Sequence, residues 1–159
     1  MTVKIRPIQA DDKPVLMKIL RDTPEFKPFE VTVAEEVIDS CLNDPIDSGY
    51  HTLIAEDSSE IAGYICFGPT PLTEGTWDLY WEAVARKKRG QGIGSTLMKA
   101  AEKAIIKAKG RLAIIETSSK PAYERTRQFH IKNGYTEIAR IPDFYSPGDD
   151  MIILKKRFR

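Results

Sequence analysis

Arg89-Gly90-Gln91-Gly92-Ile93-Gly94 is the stretch whose reading decides the fold of this chain. It follows an apolar run ending at Val84-Ala85 and precedes a helical pattern that begins near Ser95. Closely spaced glycines leave the backbone bare, free to take up positive φ and to approach a ligand. The helix start behind them offers unpaired N–H groups and the positive end of its dipole. Together these make an anion site, best suited to phosphates. Two common phosphate motifs fail here. The dinucleotide fingerprint needs a third glycine where Leu97 stands, and a P-loop needs a Lys where Gly94 runs straight into Ser95-Thr96. Both also belong to the first strand of a unit, whereas this loop lies in mid-chain.

Outward from the loop, Thr76 to Ala85 reads as a long strand, and Ser95 to Lys109 as a helix burying Leu97, Met98, Ala101, Ile105 and Ala108 with Gly110 as its C′ residue. Upstream, Val3 to Arg6 alternates as a first strand. Asp11 and Asp12 open a helix, and Thr32 with Glu35 fits a capping box for a second, stopped at Asn43-Asp44-Pro45. Tyr50 to Ala55 and Ile61 to Phe67 form a hairpin. Downstream, Leu112 to Thr117 is an apolar, internal strand, and Ser118 or Ser119 caps a helix from Pro121 to Asn133. Thr136 to Ile141 and Met151 to Lys156 close the chain, joined by the loop 142–150. The order predicts one α/β domain over residues 1–159 with a mixed seven-stranded sheet. Hairpins supply antiparallel pairs, and helical crossovers a parallel pair between Thr76–Ala85 and Leu112–Thr117.

Composition excludes several classes. Of 159 residues, 42% are apolar and 30% charged, which suits one soluble globular domain. The formal net charge of +1 argues against a bulk nucleic-acid binder, and Arg86-Lys87-Lys88-Arg89 is short and lacks interleaved aromatics. Cys41 and Cys66 form no CxxC pair, and the two His and two Cys are scattered, so no metal site is expected. No apolar run reaches the roughly 18 residues of a membrane span, and no signal peptide is expected. These features predict a cytoplasmic protein without membrane or nucleic-acid partners.

The pattern Arg/Gln-x-x-Gly-x-Gly/Ala at Arg89 to Gly94, the strand ending Tyr80-Trp81-Glu82-Ala83-Val84, and Phe129-His130-Ile131-Lys132-Asn133-Gly134-Tyr135 together resemble the GNAT superfamily of acyl-CoA-dependent N-acetyltransferases. The resemblance implies a single GNAT-like domain, its sheet mostly antiparallel with helices on both faces and the central parallel pair splayed. It implies acetyl-CoA as co-substrate at Arg89, Gly90, Gln91, Gly92, Ile93, Gly94 and Ser95, with backbone N–H groups from Gln91 to Ser95 on the pyrophosphate. Backbone at Val84 and Ala85 would pair with the pantetheine, and the Val84 N–H would face the thioester oxygen. A fixed donor aimed at developing oxyanion charge is worth a few kcal/mol.

An amine acceptor with a pKa near 10.4 is almost wholly protonated at neutral pH, so a base is needed. Glu82, Asp78 and Glu116 are the candidates, with water alone as the alternative. Asp78 and Glu82 have the same parity and share one strand face unless a β-bulge intervenes. The acid is harder to assign. The resemblance implies a Tyr four residues before Gly134, and this chain has His130 there. His130 either gives the proton or packs as a bystander, with Tyr123, on the same helical face, or water in its place; from that face Tyr123 would also reach the cofactor. Phe26, Phe29, Trp77, Tyr80, Trp81, Phe144 and Tyr145 are candidate acceptor walls, and Asp149 and Asp150 candidate attractors of a cationic amine. The leading expectation is direct acetyl transfer to a small-molecule, amino-acid or protein amine. A non-catalytic acyl-CoA-binding regulatory module is the alternative. The oligomeric state is open, a homodimer included.

Overall fold

The computed structural model describes residues 2–159. Seven strands form one sheet in the order β1-β2-β3-β4-β5-β7-β6. They are β1 (Val3–Pro7), β2 (His51–Asp57), β3 (Glu60–Pro69), β4 (Thr76–Val84), β5 (Leu112–Ser118), β6 (Thr136–Ser146) and β7 (Asp149–Arg157). Every pair is antiparallel except β4–β5. Helices α1 (Lys13–Arg21) and α2 (Pro28–Asn43) cover one face, where Leu16, Leu20, Val37 and Ile38 pack on Ile54, Tyr64 and Ala83. Helix α3 (Ile93–Lys107) covers the other, where Leu97, Met98 and Ile105 pack on Ile65, Phe67, Leu79 and Ile115. Helix α4 (Glu124–Lys132) brings Phe129 to the same cluster.

Several local expectations are corrected. Helix α2 starts at Pro28, with Thr32 already inside it, where the Thr32 hydroxyl donates to the Pro28 carbonyl at 3.2 Å. Proline fits a helix's first turn because its missing N–H would be unpaired there anyway. Helix α3 starts two residues earlier than the pattern suggested, because Gly92 at φ 82° supplies the left-handed cap. At its other end Lys109, not Gly110, takes the left-handed conformation, at φ 65°. Gly110 is needed for space: a β-carbon there would lie 2.3 Å from Ile105 Cγ2. Ser118 and Ser119 cap no helix; Ser118 donates to Asp149, and the Ser119 hydroxyl accepts from the Asp150 N–H at 2.8 Å. The expected loop 142–150 is mostly strand, because β6 runs on to Ser146 and turns at Pro147-Gly148.

The central feature is a short pairing. Strands β4 and β5 pair only at Thr76–Leu112, Trp77–Ala113 and Asp78–Ile114. Beyond Asp78 they part, and one edge of β4 is left without a neighbouring strand.

Candidate active site

The parting of β4 and β5 makes a slot, and the glycine loop stands at its mouth. The Ala85 N–H donates to the Ala62 carbonyl of β3 at 2.7 Å. Alternation along a strand therefore turns the polar backbone groups of Val84 to the opposite, open edge. Arg89 Nε donates to the Val84 carbonyl from that side at 3.3 Å, which puts the guanidinium at the mouth. Gly90 and Gly92 have φ of 77° and 82°, and a β-carbon on either would meet nothing within 4 Å. The backbone there is bare and faces open space. No side chain caps α3, and its first-turn N–H groups at Ile93, Gly94 and Ser95 are free for an anion. Beside Ser95 lies a depression of about 470 Å³ lined by Lys99, Lys132 and Lys156. Lys99 and Lys132 add positive charge that no loop motif signalled. Lys87 and Lys88, by contrast, are tied to Glu60 and Asp57 of the β2–β3 hairpin at 3.2 and 3.0 Å.

Gly94 differs from its two neighbours. A β-carbon there would lie 2.8 Å from Glu82 Oε1 and 3.2 Å from the Phe129 ring. The third glycine makes room for a carboxyl and an aromatic ring beneath the helix start.

A β-bulge decides the carboxylates. The β3–β4 register passes from Cys66–Trp81 to Phe67–Leu79, so Tyr80 is the extra residue. Before it, Trp77 and Leu79 face α3; after it, Val84 does, while Trp81 and Ala83 face α1 and α2. Asp78 and Glu82 are thereby on opposite faces of the sheet. Glu82 lies on the α3 side, against Gly94 and Phe129, and its Oε2 is shielded with no partner. Burial pushes its pKa well above the usual carboxylate range. Asp78 accepts from the Thr70 hydroxyl at 2.6 Å on the other face. Glu116 is on that face too, and burial, with the Asp78 charge beside it, raises its pKa.

His130 is only 7% exposed, and its Nδ1 has no partner among the described residues. Its ring is 5.5 Å from that of Phe129 and 6.2 Å from that of Tyr135. Burial lowers its pKa to about 4, so the imidazole is neutral at pH 7. Tyr123 is in a separate 3₁₀ turn, Pro121–Tyr123, and its hydroxyl donates to the Glu25 carbonyl at 3.0 Å beside Glu30. It braces the start of α2 instead of standing free.

Around Asp78 and Glu116 the sheet face is acidic and carries tyrosines. Tyr145 is half-exposed, and burial together with Glu116, Asp149 and Glu30 raises its pKa to about 12. Tyr80 stacks edge-on with Tyr50 at 5.4 Å and approaches Asp78 at 3.5 Å. Asp149 is buried against Ser118, whereas Asp150 accepts from the Asp143 N–H in the β6–β7 arm. Phe29 and Phe144 are exposed; Trp77 is core. Glu30 was invisible to pattern reading because it comes from the far side of the fold. Among the described residues, no group of three or more His, Cys, Asp or Glu could hold a metal ion, and no helix is long and apolar enough to cross a membrane.

Residues 48–137 match the sequence profile of the family described as Acetyltransferase (GNAT) domain. Among solved structures, the chain is similar to a protein from Desulfovibrio desulfuricans assigned to the GNAT acetyltransferases, at 36% identity and a TM-score of 0.95 over 98% of this chain and 99% of that one. Its fold is also that of the PaiA N-acetyltransferase of Thermoplasma acidophilum in complex with coenzyme A, at 17% identity and TM-score 0.78 over 99% and 100% of the two chains. An aminoglycoside 6′-N-acetyltransferase complexed with coenzyme A gives 20% and 0.75 over 97% and 96%. No curated protein matches the chain.

Proposed function

Because the chain belongs to the GNAT acetyltransferase family, we propose that it transfers an acetyl group from acetyl-CoA directly to a primary amine of a small molecule, amino acid or protein. One observation carries this reading. The slot between β4 and β5 opens on one side to the glycine loop and on the other to the Asp78–Glu116 pair.

The residues present fit acetyl-CoA. Gly90 and Gly92 leave open space over bare backbone, and the free N–H groups of Ile93, Gly94 and Ser95 would hold its pyrophosphate, with Arg89 beside them. The open edge at Val84 would take the pantetheine as an added strand; the Ala85 N–H, expected to share in this, is already given to Ala62. Acetyl-CoA supplies the activated acyl group.

The chain's own groups then act on the acceptor. The acidic face attracts the cationic amine. Asp78 and Glu116 take its proton: burial, with the Asp78 charge beside it, raises the Glu116 pKa and suits that carboxylate to a base. The Val84 N–H offers a fixed donor to the thioester oxygen. Glu82, on the opposite face, is not in this base.

Acetyl-CoA turnover against a panel of amines, amino acids and N-terminal peptides, followed by thiol release, tests the proposal. Amine-dependent thiol release is expected. Tight CoA binding with no transfer to any acceptor would instead mark a non-catalytic binding module, the reading favoured by the absence of tyrosine at position 130.

A further inference from the structure

Among the described residues, two shielded polar atoms beside the slot are left without a partner. Glu82 Oε2 and His130 Nδ1 are both shielded and unpartnered, and both lie on the α3 side of the slot. They share neighbours. The Phe129 ring lies 5.5 Å from His130, and both it and Glu82 Oε1 lie against Gly94. Tyr135 lies 6.2 Å from His130, and burial, then Glu102 and last the Glu82 charge raise its pKa. Glu82 as a residue is only partly buried, but its Oε2 is shielded with no donor, which is costly, and such an atom persists only where something else requires it.

We propose that Glu82 is the proton donor to the departing CoA thiolate, in the role for which this chain has no tyrosine on α4. The inference rests on the acetyl-transfer reading above. The acceptor nitrogen bonds to the acetyl carbon, the carbon–sulfur bond breaks, and its electron pair leaves on sulfur. The Glu82 carboxyl proton passes to that sulfur, giving the thiol and a Glu82 carboxylate. The cationic amine first gives one proton through the Asp78–Glu116 pair to solvent, and the second, shed from nitrogen as the amide forms, stays on the pair. After product release, solvent returns a proton to Glu82 and takes one from the pair.

Magnitudes favour Glu82 over His130. A carboxyl of ordinary pKa is ionised about 500 to 1 at pH 7 and has no proton to give. Burial pushes the Glu82 pKa well above the usual carboxylate range, which favours the protonated form that a donor needs. His130, lowered to about 4, lends an N–H but has no ready proton. Gly94 lies against Glu82, Tyr135 feels its charge, and beyond Tyr135 stands the Glu102–Lys156 ion pair from α3 and β7. The carboxylate formed in turnover lies by Gly94 in the first turn of α3, where the helix dipole favours negative charge.

The test has two arms. Infrared difference spectra of the ligand-free protein at pH 7 should show a protonated-carboxyl band that is lost at alkaline pH and missing in Glu82→Gln. In kinetics, Glu82→Gln should lower kcat about 100-fold with little change in KM for acetyl-CoA. The loss should shrink for an acetyl-CoA analogue with fluorines beside the sulfur, whose more acidic thiol leaves without help. Adding His130→Tyr to Glu82→Gln should restore part of the rate. An ionised Glu82 at pH 7, or a loss independent of thiol acidity, overturns the proposal. If Glu82→Gln does not fold, the wild type still decides: its kcat falls as pH rises through the donor's pKa, and the fluorinated analogue removes that fall. A wild type with no transfer would refute the acetyl-transfer reading itself, whatever the spectra show.

Discussion

Glu82 Oε1 lies 2.8 Å from the point that a β-carbon of Gly94 would occupy. The glycine that ends the loop motif is therefore bound to a carboxyl two elements away. Gly94→Ala overpacks this site against Glu82 and Phe129 and should cost about 1–3 kcal/mol in thermal unfolding. The penalty should shrink in a Glu82→Ala background, where the carboxyl is gone. Gly92→Ala should cost about 1–2 kcal/mol in either background, since its strain is one of φ and not of contact.

Burying His130 as a neutral group sets an acid limit on stability. Its pKa is near 6.5 unfolded and about 4 folded, so the unfolded chain binds the extra proton between those values. Stability from this residue is complete above pH 6.5 and is lost as pH falls toward 4, by about 3 kcal/mol. Denaturant melts of wild type and His130→Phe from pH 7 to 4 should converge as the pH drops. Parallel curves would mean that the imidazole is charged inside the fold.

If Asp78 and Glu116 act as the one base proposed above, their losses should not add. Asp78→Asn and Glu116→Gln should each lower kcat/KM about 100-fold, and the double variant only slightly more. A base must be ionised, so wild-type kcat/KM rises with pH through the raised Glu116 pKa. Asp78→Asn removes the neighbouring charge and should move that rise to lower pH.

Tyr123 holds the start of α2 by its bond to the Glu25 carbonyl at 3.0 Å. Tyr123→Phe should cost about 1 kcal/mol of stability and raise KM for the acceptor while leaving CoA affinity unchanged, as calorimetry would show. A fall in CoA affinity would place Tyr123 on the cofactor after all.

The basic run divides by partner. Arg89→Ala should weaken CoA binding about tenfold, the loss of one charge-assisted contact. Lys87→Ala should do almost nothing, because its exposed pair with Glu60 is worth at most about 1 kcal/mol.

The fold was legible because each signal was local. Alternation marked Val3–Pro7, the apolar stripe Leu97–Met98–Ala101–Ile105 marked α3, and the glycines marked the turn between β4 and α3. The two sides of the site were less legible. Parity places Asp78 and Glu82 together, and only the β3–β4 register shows that Tyr80 separates them. Nothing near Glu30 in the sequence announces its place beside Tyr123 and Tyr145, which tertiary packing alone creates. The β6–β7 arm was missed because Pro142, Pro147 and Gly148 mimic a loop, while Asp143 at φ 55° absorbs an irregularity within the strand.

Three residue pairs are all that join β1–β4 to β5–β7 within the sheet. The domain is thus mechanically two plates on a short hinge, spanned by the crossover through α3. A ligand seated between the plates would fasten the far end as a zip does. In hydrogen exchange, the β4 amides that turn to the open edge should be the fastest of the central strands in the free protein. They should slow most when CoA is added. Substrate loading and closure of the sheet then become one cooperative event, with the co-substrate standing in for the missing ladder.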